Sequence, residues 1–213
     1  RTGVGRLPLD KFSRTLGDLG FVLEQVERHS VLEVADGLTR AEAELPPARR
    51  AAGTAYRTLT WVGAVPEEHR AGMARLLARL GTDAPSGALE VEAEVWDAEL
   101  DRVADETGRP RLATVAQHAG TGELVAYTLL ALPADRPQVA LQENTLVHAD
   151  HRGHRLGMLV KALNLRQLAR TAPQARRVHT WNAGENEHML AINEALGFRE
   201  RSAGGAWQLT GLR

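Results

Sequence analysis

The 213-residue chain carries 26 Lys+Arg against 27 Asp+Glu, is 43% apolar and has no cysteine. Near-neutral charge argues against a dedicated nucleic-acid binder, and without cysteine there is no disulfide framework, Cys-ligated metal or thiol nucleophile. No apolar run approaches the ~18–20 residues of a membrane span and no cleavable signal pattern opens the chain, so a cytoplasmic setting with no membrane partner is expected. A first residue of Arg1 rather than methionine is what a piece of a longer protein is expected to show. Only Lys11 and Lys161 are lysines, so nearly all positive charge is arginine.

A short helical stretch ends at Leu19-Gly20, where Gly20 suits a left-handed helix stop, and an extended run follows from Phe21 to Val34. Residues 38–52 are rich in Ala, Glu and Arg and interrupted by Pro46-Pro47, which reads as a helical linker rather than a core element. Tyr56–Val62 is β-branched and aromatic, a strand. Pro66, Glu67 and Glu68 suit the first turn of a helix running to Leu80. A loop from Asp83 to Gly87 and a helix over 97–107 come next. Strands Leu112–His118 and Glu123–Leu132 flank Gly120-Thr121-Gly122, the composition of a tight hairpin. A strand over Gln138–Val147 leads to a long helix from Arg155 to Thr171, with Leu156, Leu159, Val160 and Leu163 at helical spacing. Arg177–Trp181 is a strand and Asn186–Leu196 a helix. Phe198–Arg201 and Ala206–Thr210 read as a terminal hairpin around Gly204-Gly205. This order predicts an α/β (α+β) domain with a mixed sheet. Asp18-Leu-Gly-Phe21 and Ala195-Leu-Gly-Phe198 match at a helix-to-strand junction. Either Leu-Gly-Phe is simply a common helix stop, or residues 1–35 are the tail of a preceding, homologous domain.

The segment richest in chemistry is Leu146-Val-His-Ala-Asp-His-Arg-Gly-His-Arg-Leu-Gly157. It joins a strand end to a helix start, where unpaired backbone N–H groups and the helix dipole favour an anion. Gly153 and Gly157 permit close backbone approach, and Arg152 and Arg155 add donors suited to phosphate. The plainer alternative is an ordinary strand–helix turn with surface arginines. Between His148 and Val178 seven basic residues face one acid, Asp150, a net +6. No aromatic residue lies in that stretch, so a compact polyanion fits better than nucleic acid. His148, His151 and His154 recur every three residues, yet the flanking arginines repel a cation, so no metal is expected. Residues 90–106 hold eight acids and one base; a solvated face is the plain reading, an electrostatic lure for a cationic amine the sharper one. Trp61, Trp96, Trp181 and Trp207 are scattered and read as packing.

Arg152-Gly-His-Arg-Leu-Gly157 after Leu146-Val147 resembles the acyl-CoA motif of the GNAT N-acetyltransferase superfamily, Gln/Arg-x-x-Gly-x-Gly/Ala. Asn182 and Asn186–Phe198 resemble its second cofactor segment, and the whole most resembles the C-terminal module of actinobacterial-type tandem-GNAT proteins. The resemblance implies a GNAT fold, a mixed, mostly antiparallel sheet of about seven strands flanked by helices. It implies residues 1–35 as a remnant of a preceding GNAT-like domain, 36–54 as a helical linker and 55–213 as the acetyltransferase domain. The co-substrate implied is acetyl-CoA, held by Leu146, Val147, Arg152, Gly153, His154, Arg155, Leu156, Gly157, Met158, Asn182, Asn186 and Met189. The acceptor implied is a small-molecule primary amine that attacks the thioester directly in a ternary complex; a homodimer is a further expectation.

Two departures stand out: Arg155 replaces the first motif glycine, and Asn193 replaces a tyrosine that protonates the leaving thiolate. Asn193 is therefore a catalytic position without an acidic proton. Glu143 is the one carboxylate on the preceding strand and the candidate base, unless it is merely a solvated strand charge. Three rivals remain open: a degenerate CoA-binding sensor or scaffold, a nucleic-acid module, and a mycothiol-synthase-like transferase.

Overall fold

The computed structural model describes residues 7, 10–83 and 109–209. The expected helix over 97–107, the loop beyond Asp83, the acidic run 90–106 and Trp96 lie outside these residues. In chain order the elements are α1 (Lys11–Asp18), β1 (Phe21–Glu33), α2 (Val34–Ala52), β2 (Tyr56–Val62), α3 (Glu67–Asp83), β3 (Arg111–His118), β4 (Leu124–Ala131), β5 (Val139–Val147), α4 (Leu156–Thr171), β6 (Arg177–Ala183), α5 (Glu187–Leu196) and β7 (Arg199–Leu209).

The strands form one seven-stranded sheet in the order β2-β3-β4-β5-β6-β1-β7. Every neighbouring pair is antiparallel except β5 and β6. Side chains alternate across the sheet, and both faces of its β3–β4 centre are covered. Leu112, Ala126, Leu130 and Val178 join α2, α4 and α5 in one buried cluster. Ala113, Val115, Tyr127 and Leu146 join Met73 and Leu76 of α3 in the other. All eight residues of β4 are buried accordingly. α4 lies between sheet and α2, which is why eleven of its residues are buried rather than one amphipathic stripe.

Two expectations are overturned. Residues 36–54 are no linker: α2 buries Val34, Gly37, Ala41, Leu45, Ala48 and Ala52. Pro46 and Pro47 lie inside this helix. They forfeit backbone donors, but Leu45 and Ala48 on either side are 3% and 0% exposed, and their packing carries the helix through.

The terminal hairpin is also absent, since Arg199–Leu209 is one continuous strand. Gly204 and Gly205 sit opposite Glu27 and Val26 of β1 instead of turning the chain. A Cβ at Gly205 would collide with Leu7 and lie 2.8 Å from Leu23 Cδ1, so the glycine makes room for side chains. The partner that keeps β7 straight is β1, which pairs with β6 from Glu27↔Ala183 to Glu33↔Arg177 and with β7 from Phe21↔Leu209 to Val31↔Arg199.

Candidate functional site

The parallel ladder between β5 and β6 holds for three pairs, from Val139↔Arg177 to Leu141↔His179, and then stops. The cause lies on the other edge of β5. Thr128 of β4 pairs with Thr145, but Leu130 pairs with Gln142, so β5 carries an extra residue within Gln142–Thr145. Such a bulge bends the strand carrying it. Side-chain bonds pin the bend: Gln142 Nε2 donates to Leu129 O (2.8 Å) and Thr128 Oγ1 (3.0 Å), and the Thr128 and Thr145 hydroxyls bond at 2.7 Å. Past it, the strands part around a notch of about 170 Å³.

Glu143, Asn182, Asn186 and Met189 of the expected set line this notch. Arg111 Nε bonds Glu143 Oε2 at 2.9 Å, with both side chains about two-thirds buried. The pair fixes the carboxylate at the notch wall. Asn186 caps α5, its side chain accepting from Met189 N at 3.2 Å. Asn193 is 2% exposed and stands behind the notch. Its Nδ2 donates to Asn182 Oδ1 at 2.8 Å, so it orients the notch-lining asparagine rather than reaching the notch itself.

A second cavity, about 270 Å³, opens where β5 ends and α4 begins. Val147, Arg152, Gly153, Arg155, Leu156, Gly157 and Met158 all line it, with His188 and Ile192 of α5 opposite. The first intrahelical bond of α4 is Leu159 N to Arg155 O (3.0 Å), and no side chain caps this helix. The N–H groups of Leu156, Gly157 and Met158 thus precede the helical ladder, as an anion site requires. A Cβ at Gly157 would come within 3.0 Å of Ile192 Cδ1, so glycine keeps the cavity open. Arg155 takes the left-handed conformation (φ 54, ψ 24), a geometry that favours glycine. Its guanidinium is engaged by Glu44 of α2 at 2.6 Å, while Arg152 lines the cavity with its Nε donating to Val147 O at 3.4 Å.

Besides Asn193, two expected residues stand outside both cavities. Leu146 is 6% exposed and belongs to the α3-side core. His154 leans on the Tyr56 ring at 5.3 Å, and Tyr56 OH meets His151 Nδ1 at 3.0 Å. Burial and the charges of His118 and His148 hold His151 below the usual histidine range.

Among the notch residues that escaped the sequence reading are Gln25 and Glu27 from β1, Lys161 from α4, and Trp181. Trp181 is 48% exposed and stacks on His29 at 4.7 Å, so it forms a rim rather than core packing. The contributions of β1 had no local signal. That of Lys161 was hidden among the basic residues of its segment.

No family model and no curated protein sequence matches the chain. Among solved structures it is similar to a tandem GNAT protein from the clavulanic acid biosynthesis pathway, at 30% identity and a TM-score of 0.70, over 95% of this chain and 59% of that one. It therefore spans less than two-thirds of that protein's length. GCN5-related N-acetyltransferases from Kribbella flavida (20% identity, TM-score 0.58, 93% of this chain and 63% of that one) and Sphaerobacter thermophilus (13%, 0.59, 92% and 55%) share the fold. At 30% identity over 95% of its length to that tandem GNAT protein, and with the fold shared by the others, the chain is a GNAT module.

Proposed function

We propose that this module binds acetyl-CoA and transfers its acetyl group to a primary amine of a small molecule by direct attack. The observation that carries the reading is the parting of β5 and β6 beside the uncapped N-terminus of α4. One end offers backbone donors and Arg152 to a pyrophosphate. The other offers a polar notch to the thioester end, both reached along β5. Acetyl-CoA, when bound, supplies the activated acyl group. Arg152, Gly153, Gly157 and Met158 hold its phosphates, and Asn182, Asn186 and Met189 flank its thioester end. Glu143, held by Arg111, accepts the proton that the amine must lose, through solvent.

The same reading takes residues 1–35 as derived from the end of a preceding GNAT-like domain, although their β1 is paired into this module's sheet; the tandem architecture of the 30%-identical relative supports that origin. The deciding experiment follows thiol release from acetyl-CoA across a panel of amines, with Glu143→Gln beside the parent chain and CoA-dependent thermal stabilisation measured on both. Stabilisation of both with turnover lost in Glu143→Gln is expected. Absence of CoA stabilisation in the parent overturns the proposal, and stabilisation without turnover on any amine leaves a CoA-binding scaffold.

A further inference from the structure

Lys161 is 2% exposed, the only charged residue in the buried set among the described residues. The other buried polar groups of α4 are satisfied. Asn164 accepts from Thr114 Oγ1 (3.1 Å) and donates to Leu112 O (3.1 Å), and Gln167 donates to Trp61 O (2.8 Å). No described residue forms a hydrogen bond or ion pair with Lys161 Nζ; the Phe198 ring lies 5.6 Å from it. A buried ammonium that has an aromatic face but no counter-ion is costly to retain, and packing alone gives no reason to keep it. Its position supplies one: Lys161 reaches the notch from the α4 side, through the gap where β5 and β6 part.

We propose that Lys161 is a catalytic residue that delivers a proton to the departing thiolate, an assignment that rests on the acyl-transfer reading above. As the amine nitrogen forms its bond to the acyl carbon, the C–S bond breaks and its electron pair goes to sulfur. The Lys161 ammonium gives sulfur a proton, and the neutral lysine regains one from the proton that the nitrogen sheds, carried by solvent. Asn193, at the position the family gives to tyrosine, has no proton to lend. Burial brings the Lys161 ammonium from 10.5 down to about 7, so both of its forms are populated near neutrality. The other ionisable groups lining the notch among the described residues are Glu143 on β5 and Glu27 on β1. The α5 residues lining it, Asn186 and Met189, are neutral.

The composition makes the test unusually clean. With no cysteine in the chain, the ultraviolet thiolate absorbance of its CoA complex reports the CoA sulfur alone. With two lysines, Lys11 and Lys161, selective isotope labelling gives two side-chain NMR signals. In the parent chain, bound CoA should ionise as a stronger acid than free CoA. Lys161→Met should weaken that acidity at least about tenfold and lower kcat at least about 100-fold, with KM for acetyl-CoA changed less than about threefold. Equal CoA acidity in parent and Lys161→Met overturns the assignment, even if turnover falls. Should Lys161→Met fail to fold, the parent decides, because a Lys161 NMR titration unmoved by CoA overturns it equally. Failure of the parent to bind CoA at all is a different result, which removes the acyl-transfer reading itself.

Discussion

Arg155 offers a test in which glycine should stabilise where alanine does not. Its φ of 54° is the one positive value at a non-glycine residue among the described residues. Holding an L side chain in that region costs about 1–2 kcal/mol, which glycine avoids. Glycine gives back about 0.5–1 kcal/mol of that through the entropy of the unfolded chain. Both Arg155→Ala and Arg155→Gly lose the ion pair to Glu44, whose side chains are 44% and 29% exposed and whose worth is at most about 1 kcal/mol. That loss cancels between them. Arg155→Gly should therefore be more stable than Arg155→Ala by about 0.5–1 kcal/mol, or roughly 1–4 °C in Tm for a chain of this size. Urea denaturation of both variants at one pH measures the difference directly. Alanine as stable as glycine, or more so, would refute the claim that the loop before α4 holds strain at this residue.

Three further outcomes follow from other parts of the molecule. Arg152→Ala should weaken CoA binding about tenfold or more, the scale of a charge-assisted hydrogen bond. Arg155→Ala should cost less, because Glu44 already holds that guanidinium; calorimetry ranking the two the other way would reject this division of labour. Leu32→Ala in β1 should destabilise by about 2–5 kcal/mol, since Leu32 is fully buried beneath Gly37; a loss under about 1 kcal/mol in denaturant would place β1 outside the cooperative unit. For Lys161 the folded ammonium titrates at about 7 against 10.5 when exposed. The unfolded chain thus binds more protons between those values, and stability rises with pH across them. Lys161→Met should be the more stable protein at pH 7, with its advantage shrinking as pH rises toward 10; an advantage independent of pH contradicts the buried charge.

The strands from β2 to β6 were legible to within a residue or two because their signals are local. Alternation, β-branched runs and the Gly120–Gly122 turn depend on nothing far away in the chain. The junction of β5 and α4 was legible for the same reason, since a strand end, a glycine-bearing loop and a helix start are contiguous from Leu146 to Gly157. α2 was misread although its buried residues Ala41, Leu45, Ala48 and Ala52 fall at helical spacing, because two prolines outweighed an alanine-rich face. β7 was misread because Gly204-Gly205 has the composition of a turn, and what overrides that composition is a strand over 170 residues earlier. Lys161 and Arg155 looked alike as members of a basic segment. Tertiary packing separates them, burying one and binding the other to Glu44.

That same long-range pairing ties the candidate site to the N-terminal segment. Gly184 N donates to Val26 O at 2.9 Å, and Gln25 Nε2 to Glu185 Oε1 at 3.3 Å. β1 therefore holds the loop that follows β6, and this loop delivers Asn186 to its place as the cap of α5. Gln25 and Glu27 also form part of the notch wall themselves. Had residues 1–35 been only an adjoining remnant, a chain beginning at residue 36 would keep every notch residue in place. In this sheet it would instead lose both ladders made by β1 and two residues of the notch, and would expose the edges of β6 and β7. Whatever the ancestry of the segment, β1 between β6 and β7 supplies part of the notch wall and holds the loop that carries Asn186, so the sheet and the notch share this strand.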